Sequence, residues 1–427
     1  MIRRLAALAA AGTAVLTVAA CGGSTPTSAR KDTGRLEIVS WWTSGSEAPA
    51  LDVLLNGYRQ AHPGVEVVNA AVPGGAGSQA IVELAKRLRQ DDPPDVWQTF
   101  AGKSVQTSAA TGAVRDLRSI YTPELSARMQ PAILQSLMRD GRPYGVPTGS
   151  HRSNVLWYSQ AALTKAGVQP PAAGYTTAAF LDDLRKVKAS GAVPLCLGGK
   201  DPFTTVELFE NVLLSTIGDA GWRQMADDRL DWRGAKVRAA LRTFGEILTY
   251  ADPQADGLTW DAATKKLAAG GCAYESMNDS AYGELLAAGA REGPDFAGRP
   301  FPGTDGAYLA VVDTFVAATR AENAKNALAF LAGINDPATQ VAFQRAKGSV
   351  PVLRDVDVTT LPPYQQAASK SLWSSPVLLS IAHGEARSPA FQEGFYNAVS
   401  TYARTRDAAA FAVALAAAVY ADRIPPR

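Results

Sequence analysis

Residues 35–72, RLEIVSWWTSGSEAPALDVLLNGYRQAHPGVEVVNAAV, switch twice between a strand-like and a helix-like pattern. Residues 35–42 form a β-like run ending in two adjacent tryptophans, Trp41 and Trp42. Residues 48–64 then place Leu51, Leu54, Leu55 and Tyr58 at helical spacing, and His62, Pro63 and Gly64 stop the helix. Residues 65–72 are the next strand. The alternation continues with a helix at 77–90, its stripe made by Ile81, Leu84, Ala85 and Leu88, and with a third strand inside 91–100. Strand and helix in alternation imply a parallel sheet covered on both faces. In such sheets ligands sit at the carboxyl ends of the strands, where Trp41, Trp42 and Gln98 fall. Neighbours on a strand point to opposite faces, so a single face does not bury both indoles. Alternation alone does not say which one stands away from the core.

The middle of the chain is more helical. Stripes run through 176–190, 205–218, 235–251 and 261–270, with a short β piece at 193–197. Residues 305–318, DGAYLAVVDTFVAA, read as one β-like run, and helical patterns follow at 322–334, 337–346, 388–405 and 407–421. The alanine-rich stretch near the C-terminus is interrupted by polar residues and reads as a terminal helix rather than a membrane span.

Residues 1–20 read as a secretory signal peptide: Arg3 and Arg4, an apolar stretch from Leu5 to Val18, then small residues. The cysteine that follows them, Cys21, resembles the lipidated residue of a bacterial lipobox, and residues 21–34 then read as a polar tether. This places the mature chain outside the cytoplasm, anchored to the outer face of the cytoplasmic membrane. Two cysteines remain, Cys196 and Cys272; in an oxidising compartment an even pair favours a disulfide over two buried thiols.

The whole chain carries 42 basic and 40 acidic residues, and loss of the signal peptide balances them. A balanced chain has no electrostatic reason to bind nucleic acid. Its 427 residues suggest two or more domains, and 47% hydrophobic content is ample for a core.

Enzyme signatures are missing. Three histidines exist, His62, His151 and His383, and the first precedes a helix-stopping proline. There is no HExxH, CxxC or GxSxG. Residues 101–104, AGKS, resemble the end of a phosphate loop, but Trp97 occupies the position of its first glycine. No metal or cofactor is expected. A carboxylate pair of the glycosidase kind stays open, since sequence does not show how far acids lie from one another.

The lipobox, residues 36–67, DDPPDVWQTFAG at 91–102, GRPYGVPTGSHRSNVLWYS at 141–159, KGSVPV at 347–352 and AHGEARSP at 382–389 together resemble the extracellular solute-binding proteins of carbohydrate ABC transporters. The resemblance is nearest to the glucose-binding members. Each motif is weak alone; their shared order over the mature chain is specific. The family implies an α/β, two-lobe periplasmic-binding-protein fold of type II kind, each lobe a sheet flanked by helices, with the ligand cleft between the lobes. Residues 35–149 and 310–350 are expected to form the N-terminal lobe, and 150–309 and 351–427 the C-terminal lobe. The resemblance further implies a non-catalytic, monomeric receptor that closes on a mono- or oligosaccharide and hands it to permease subunits.

A sugar presents hydroxyls at its rim and C–H groups on its faces, so its site needs flat aromatic surface and a ring of donors and acceptors. By the resemblance, the ligand-binding residues are Trp41, Trp42, Glu47, Gln98, His151, Trp260, Asp279, Asp313, Lys347 and His383. Arg152 and Asn154 lie at the crossing between lobes, touching ligand or bracing the closed state. Phe100 stands where the glucose binders place a histidine, and Ser280 where they place a tryptophan, which implies a ligand other than simple glucose. The alternative receptor reading is another polar solute, a glycerol phosphoester or a polyol; a secreted glycoside hydrolase ranks behind it.

Overall fold

In the computed structural model, residues 33–43 and 45–423 are described. The expected signal peptide, Cys21 and the tether up to residue 32 lie outside them. The two βα units of the opening stretch are formed. Strand β1 (Arg35–Val39) pairs in parallel with β2 (Glu66–Asn69) and with β3 (Val96–Phe100). Helix Glu47–Ala61 buries Leu51, Leu54, Leu55 and Tyr58, the stripe expected from its spacing, and ends at His62. This first sheet is mixed rather than wholly parallel, however. Its order is β2-β1-β3-β11-β4, in which β11 (Asp313–Ala317) runs antiparallel to both its neighbours, β3 and β4 (Val146–Pro147). Local βα crossovers force parallel pairing only on the strands they connect. A strand returning from a remote segment is free to enter from the other end.

A second sheet has the order β9-β6-β8-β7, from Phe296–Pro300, Val155–Ser159, Tyr274–Ser276 and Leu195–Cys196. A third, short sheet joins β5 (His151–Arg152), β10 (Tyr308–Val311) and β12 (Val377–Leu379). The single β-like run at 305–318 is thus divided, with β10 in the short sheet and β11 in the first sheet. Val312 is the pivot. Its N–H donates to the Glu385 carboxylate at 2.7 Å instead of to a strand, which breaks the ladder there. The chain leaves the first sheet after β4, passes through β5 and enters the second sheet at β6. It returns through β10 and β11, and the two passages lie side by side, with Thr148 N–H donating to the Asp313 carbonyl at 2.9 Å.

Two layers of helix close the cores. Under the first sheet, Leu36, Ile38, Leu51, Leu55, Phe315, Phe330 and Trp42 pack together. Under the second, Phe180, Phe209, Phe244, Phe395 and Phe411 do so, the last two from the helices Pro389–Thr405 and Ala408–Asp422. Each such ring contributes about 1.5–3 kcal/mol on burial. Cys196 and Cys272 are bonded to each other, with Cα atoms 5.7 Å apart across 76 residues of sequence. A loop of that length gives a cross-link worth about 4.5 kcal/mol on the chain-entropy model. Among the described residues no helix is long and apolar enough to cross a membrane.

One core group couples stability to pH. Glu275 on β8 is buried; one carboxylate oxygen accepts from Thr264 Oγ1 at 3.0 Å and the other has no partner among the described residues. Burial pushes this carboxyl up to about 8. The folded protein therefore keeps a proton that the unfolded chain has lost, so stability falls as pH rises from about 4.5 to about 8. Glu275→Gln mimics the protonated form. Its melting temperature should fall less than that of the wild type between about pH 5 and about pH 9, as read by thermal unfolding across that range.

Candidate functional site

The cleft is built where the passages between the two large sheets meet the strand ends. Its inner part is narrow, with a cavity volume of about 30 Å³, and is bordered by Trp41, Glu47, Phe100, His151, Phe203, Trp260, Asn278, Ser280, Asp313, Lys347 and His383 among others. An outer part of about 390 Å³ shares Trp41, Glu47 and Trp260 and opens past Pro73–Gly75, Gln79, Lys200 and Asp201. The outer part lies in the range of small-molecule sites, and the inner part is well below it.

The two adjacent indoles separate as alternation requires. Trp42 is the core member, 1% exposed, edge-on to Phe315 at 5.7 Å and tilted against Phe343 at 5.4 Å. It does not border the cleft. Trp41 does, resting on Phe100 at 5.1 Å. Gly77 makes this possible. Its φ of +77° suits glycine, and a Cβ there would lie 2.6 Å from Trp41 Cε3.

Buried charges line the inner wall in a continuous chain. Asp313 opens β11; its Oδ1 accepts from Gln98 Nε2 at 3.0 Å and its Oδ2 lies 3.1 Å from His151 Nε2. His151 Nδ1 lies 2.5 Å from Asp279 Oδ1, and Asp279 Oδ2 accepts from the Arg152 N–H at 3.0 Å. With a carboxylate on each ring nitrogen, both nitrogens donate and the ring is an imidazolium. Burial and Lys347 oppose that charge, but the hydrogen bonds it donates to Asp279 and Asp313 prevail and raise its pKa. Burial acts against Asp313 as well, and His151 and Lys347 together hold it below the usual carboxylate range.

A second charge pair sits beside the first. Lys347 Nζ donates to Glu47 Oε1 at 3.1 Å and to Ser280 Oγ at 3.0 Å, and lies 5.4 Å over the Trp42 ring. Burial disfavours the ammonium, yet Glu47 and Asp313 raise its pKa. Burial raises Glu47 too, against the pull of Lys347. An ammonium has three N–H groups, so one is left to meet a ligand oxygen. Lys347 ends its helix because Gly348 follows at φ +92°, where a Cβ would lie 2.7 Å from the Gly283 nitrogen. The neighbouring helix Ser280–Ala287 touches the start of helix Glu47–Ala61. Its Glu284 accepts from the Ser46 N–H at 2.6 Å and the Ser46 hydroxyl at 3.1 Å.

Seven sequence-derived candidates therefore border the cleft: Trp41, Glu47, His151, Trp260, Asp313, Lys347 and His383. Gln98 and Asp279 lie one step behind, holding Asp313, His151 and the Trp41 N–H. Arg152 and Asn154 brace the crossing: the guanidinium donates to Asn154 Oδ1 at 3.2 Å and the Ala307 carbonyl at 2.9 Å. Five inner lining residues carry no sequence-derived role, Ala76, Met277, Val311, Phe203 and Asn278, and the last two bring ring and amide chemistry. Asn278 lies next to Asp279 in the turn after β8, a strand end that the rule for α/β sheets would have covered. Phe203, in the first turn of helix Pro202–Ala226, carried no signal. Phe100 and Ser280 both border the cleft, the first as an apolar wall and the second as an acceptor for Lys347.

Comparison with known proteins agrees with this architecture. An uncharacterised ABC-transporter extracellular-binding protein of Pyrococcus horikoshii is 28% identical over 434 residues, spanning 99% of this chain and 97% of the relative. A probable sugar-binding periplasmic protein of Brucella suis is 31% identical over 406 residues, 93% of this chain and 94% of its own. Among solved structures, the bacterial solute receptor AcbH, described as having an exclusive preference for β-D-galactopyranose, superposes with a TM-score of 0.78 at 18% identity. It covers 90% of this chain and 97% of its own, a likeness of two-lobe fold. All three are named as binding proteins or solute receptors. The bacterial extracellular solute-binding protein family matches residues 43–341, and the chain belongs to that family.

Proposed function

We propose that the protein is an extracytoplasmic receptor for a sugar, held by a lipid on Cys21, which acts as a monomer and delivers its ligand to an ABC import permease. The observation that carries the reading is the pairing, on one cleft, of two indoles with a ring of buried polar groups: Trp41 and Trp260 with Glu47, Asn278, Lys347 and His383. Indole faces suit the C–H faces of a pyranose, and the polar groups suit its hydroxyls. A micromolar complex needs about 8 kcal/mol. Hydrogen bonds to charged groups at ~1.5–3 kcal/mol each, with one or two covered rings, supply that after the costs of association. The lobes of the receptor are residues 35–149 with 310–350, and 150–309 with 351–427, closing on the ligand about the passages through His151 and Val312.

The outer cleft continues from the inner one past Trp41 and Trp260, which favours a ligand of more than one ring. Phe100 and Ser280, in place of the glucose binders' histidine and tryptophan, point the same way. A glycerol phosphoester would need a cluster of arginines or a helix N-terminus aimed into the cleft. Lys347 is the one lysine or arginine on the inner cleft among the described residues, and Glu47 already pairs with it.

A thermal-shift screen over monosaccharides, di- and trisaccharides, polyols and glycerophosphodiesters tests the reading. A ligand at a hundred times its Kd adds about 2.7 kcal/mol of stability, a shift of a few degrees. Stabilisation by a di- or trisaccharide is expected. Stabilisation only by a phosphodiester or polyol would replace the sugar reading, and glucose alone as the best ligand would remove the longer-ligand part. Cys21→Ser should move the expressed protein from the membrane fraction to the soluble extracytoplasmic fraction. Retention in the membrane would refute the anchor.

A further inference from the structure

His383 borders the inner cleft between the rings of Phe100, at 5.0 Å, and Phe203, at 5.8 Å, both edge-on. Its Nδ1 lies 3.2 Å from Ser380 Oγ, and Nε2 has no protein partner among the described residues. Behind them, Glu210 of helix Pro202–Ala226 receives a dense set of donors. Ser380 Oγ is 2.9 and 3.0 Å from its two oxygens, and the N–H groups of Ile381 and Ala382 donate to Oε2 at 2.6 and 2.8 Å. Neither Glu210 nor Ser380 borders the cleft.

A serine has one O–H to give. A carboxylate is the stronger acceptor, since a charge-assisted bond is about twice as strong as a neutral one. The Ser380 proton therefore goes to Glu210, and Ser380 Oγ is left as an acceptor toward His383. Burial drops the imidazole to about 3, so the ring is neutral and carries a single N–H. We propose that Glu210, acting through Ser380, fixes His383 in the tautomer protonated on Nδ1, so that Nε2 faces the cleft as a bare acceptor and selects a ligand hydroxyl that donates. Glu210 and Ser380 are positioning residues. The role of Nε2 toward a hydroxyl rests on the sugar-receptor reading; the tautomer itself does not.

The test is nitrogen NMR of the ligand-free mature chain labelled with ¹⁵N-histidine, recorded alkaline of the Glu210 carboxyl, which burial pushes up to about 7. Three histidines give a simple spectrum, assigned with His62→Gln and His383→Asn. Wild-type His383 should show a protonated Nδ1 and an unprotonated Nε2. In Glu210→Gln the amide oxygen stays under the Ile381 and Ala382 N–H groups, and the NH₂ turns to Ser380 Oγ. Ser380 then donates to His383 Nδ1, and the proton should move to Nε2. A sugar found by thermal shift should bind this variant about tenfold more weakly or worse. Ser380→Ala keeps Glu210 on the two backbone N–H groups and should yield a mixture of tautomers, which serves if Glu210→Gln folds poorly. A wild-type ring protonated on Nε2 would overturn the proposal. So would a tautomer unchanged in whichever variants fold. If the tautomers behave as stated and no sugar binds, the sugar-receptor reading fails and the relay stands.

Discussion

Trp42→Ala should lower the free energy of unfolding by about 3–5 kcal/mol, the usual cost of deleting a fully packed large ring. The indole is enclosed by Phe315 and Phe343 with the Lys347 ammonium above it, so truncation opens a cavity and also loosens that lysine. Trp41→Ala should behave differently. Trp41 borders both the inner and the outer cleft, and water can enter the space that truncation leaves. Its main effect should fall on affinity: about 2 kcal/mol or more, roughly thirtyfold, as for a tryptophan at the centre of an interface. Chemical denaturation and ligand titration of the two variants separate these effects. If both variants lost stability and neither lost affinity, Trp41 would not be a ligand contact.

His151→Phe should destabilise by a comparable amount, about 3–5 kcal/mol, because it leaves the Asp279 and Asp313 carboxylates buried without their shared cation. Adding Asp313→Asn should recover part of the loss, measured by a double-mutant cycle. The sign with pH follows from the direction of each shift. The His151 pKa is raised, so its contribution is full below its ordinary value near 6.5 and is lost as pH rises through the higher folded value. The Asp313 pKa is lowered, so its contribution is present above its ordinary value near 3.8 and is lost as pH falls through the lower folded value. The His151→Phe variant should therefore lose less stability than the wild type on the alkaline side. A parallel decline of the two proteins above neutral pH would contradict the imidazolium assignment.

The first three strands and their helices were legible because their signal is local: apolar residues at 2.0 and 3.6 spacing, with His62-Pro63-Gly64 as a stop. The antiparallel entry of Asp313–Ala317 was not, since its partner lies more than two hundred residues earlier in the chain. Nor was the break at Val312, which depends on the remote Glu385 carboxylate. The helix expected to end at Gly218 runs on to Ala226 past a break in which Gly218 takes φ +70°. In the candidate site, the strand-end rule and the family resemblance pointed to turns that border the cleft without saying which side chain in each reaches inward. Asp279 holds His151 from behind while Asn278, one residue earlier, borders the cleft. Gln98 supports Asp313 in the same way. A shift of a single residue in a turn decides between contact and support, and sequence period carries no information at that scale.

Calorimetric titration of mono-, di- and trisaccharides into the mature chain and into Trp41→Ala tests the central claim most directly. Saturable one-to-one binding of at least one oligosaccharide is expected, micromolar or tighter and weakened roughly thirtyfold in the variant. Binding of no sugar by the wild type, or equal affinity in the two proteins, would contradict it.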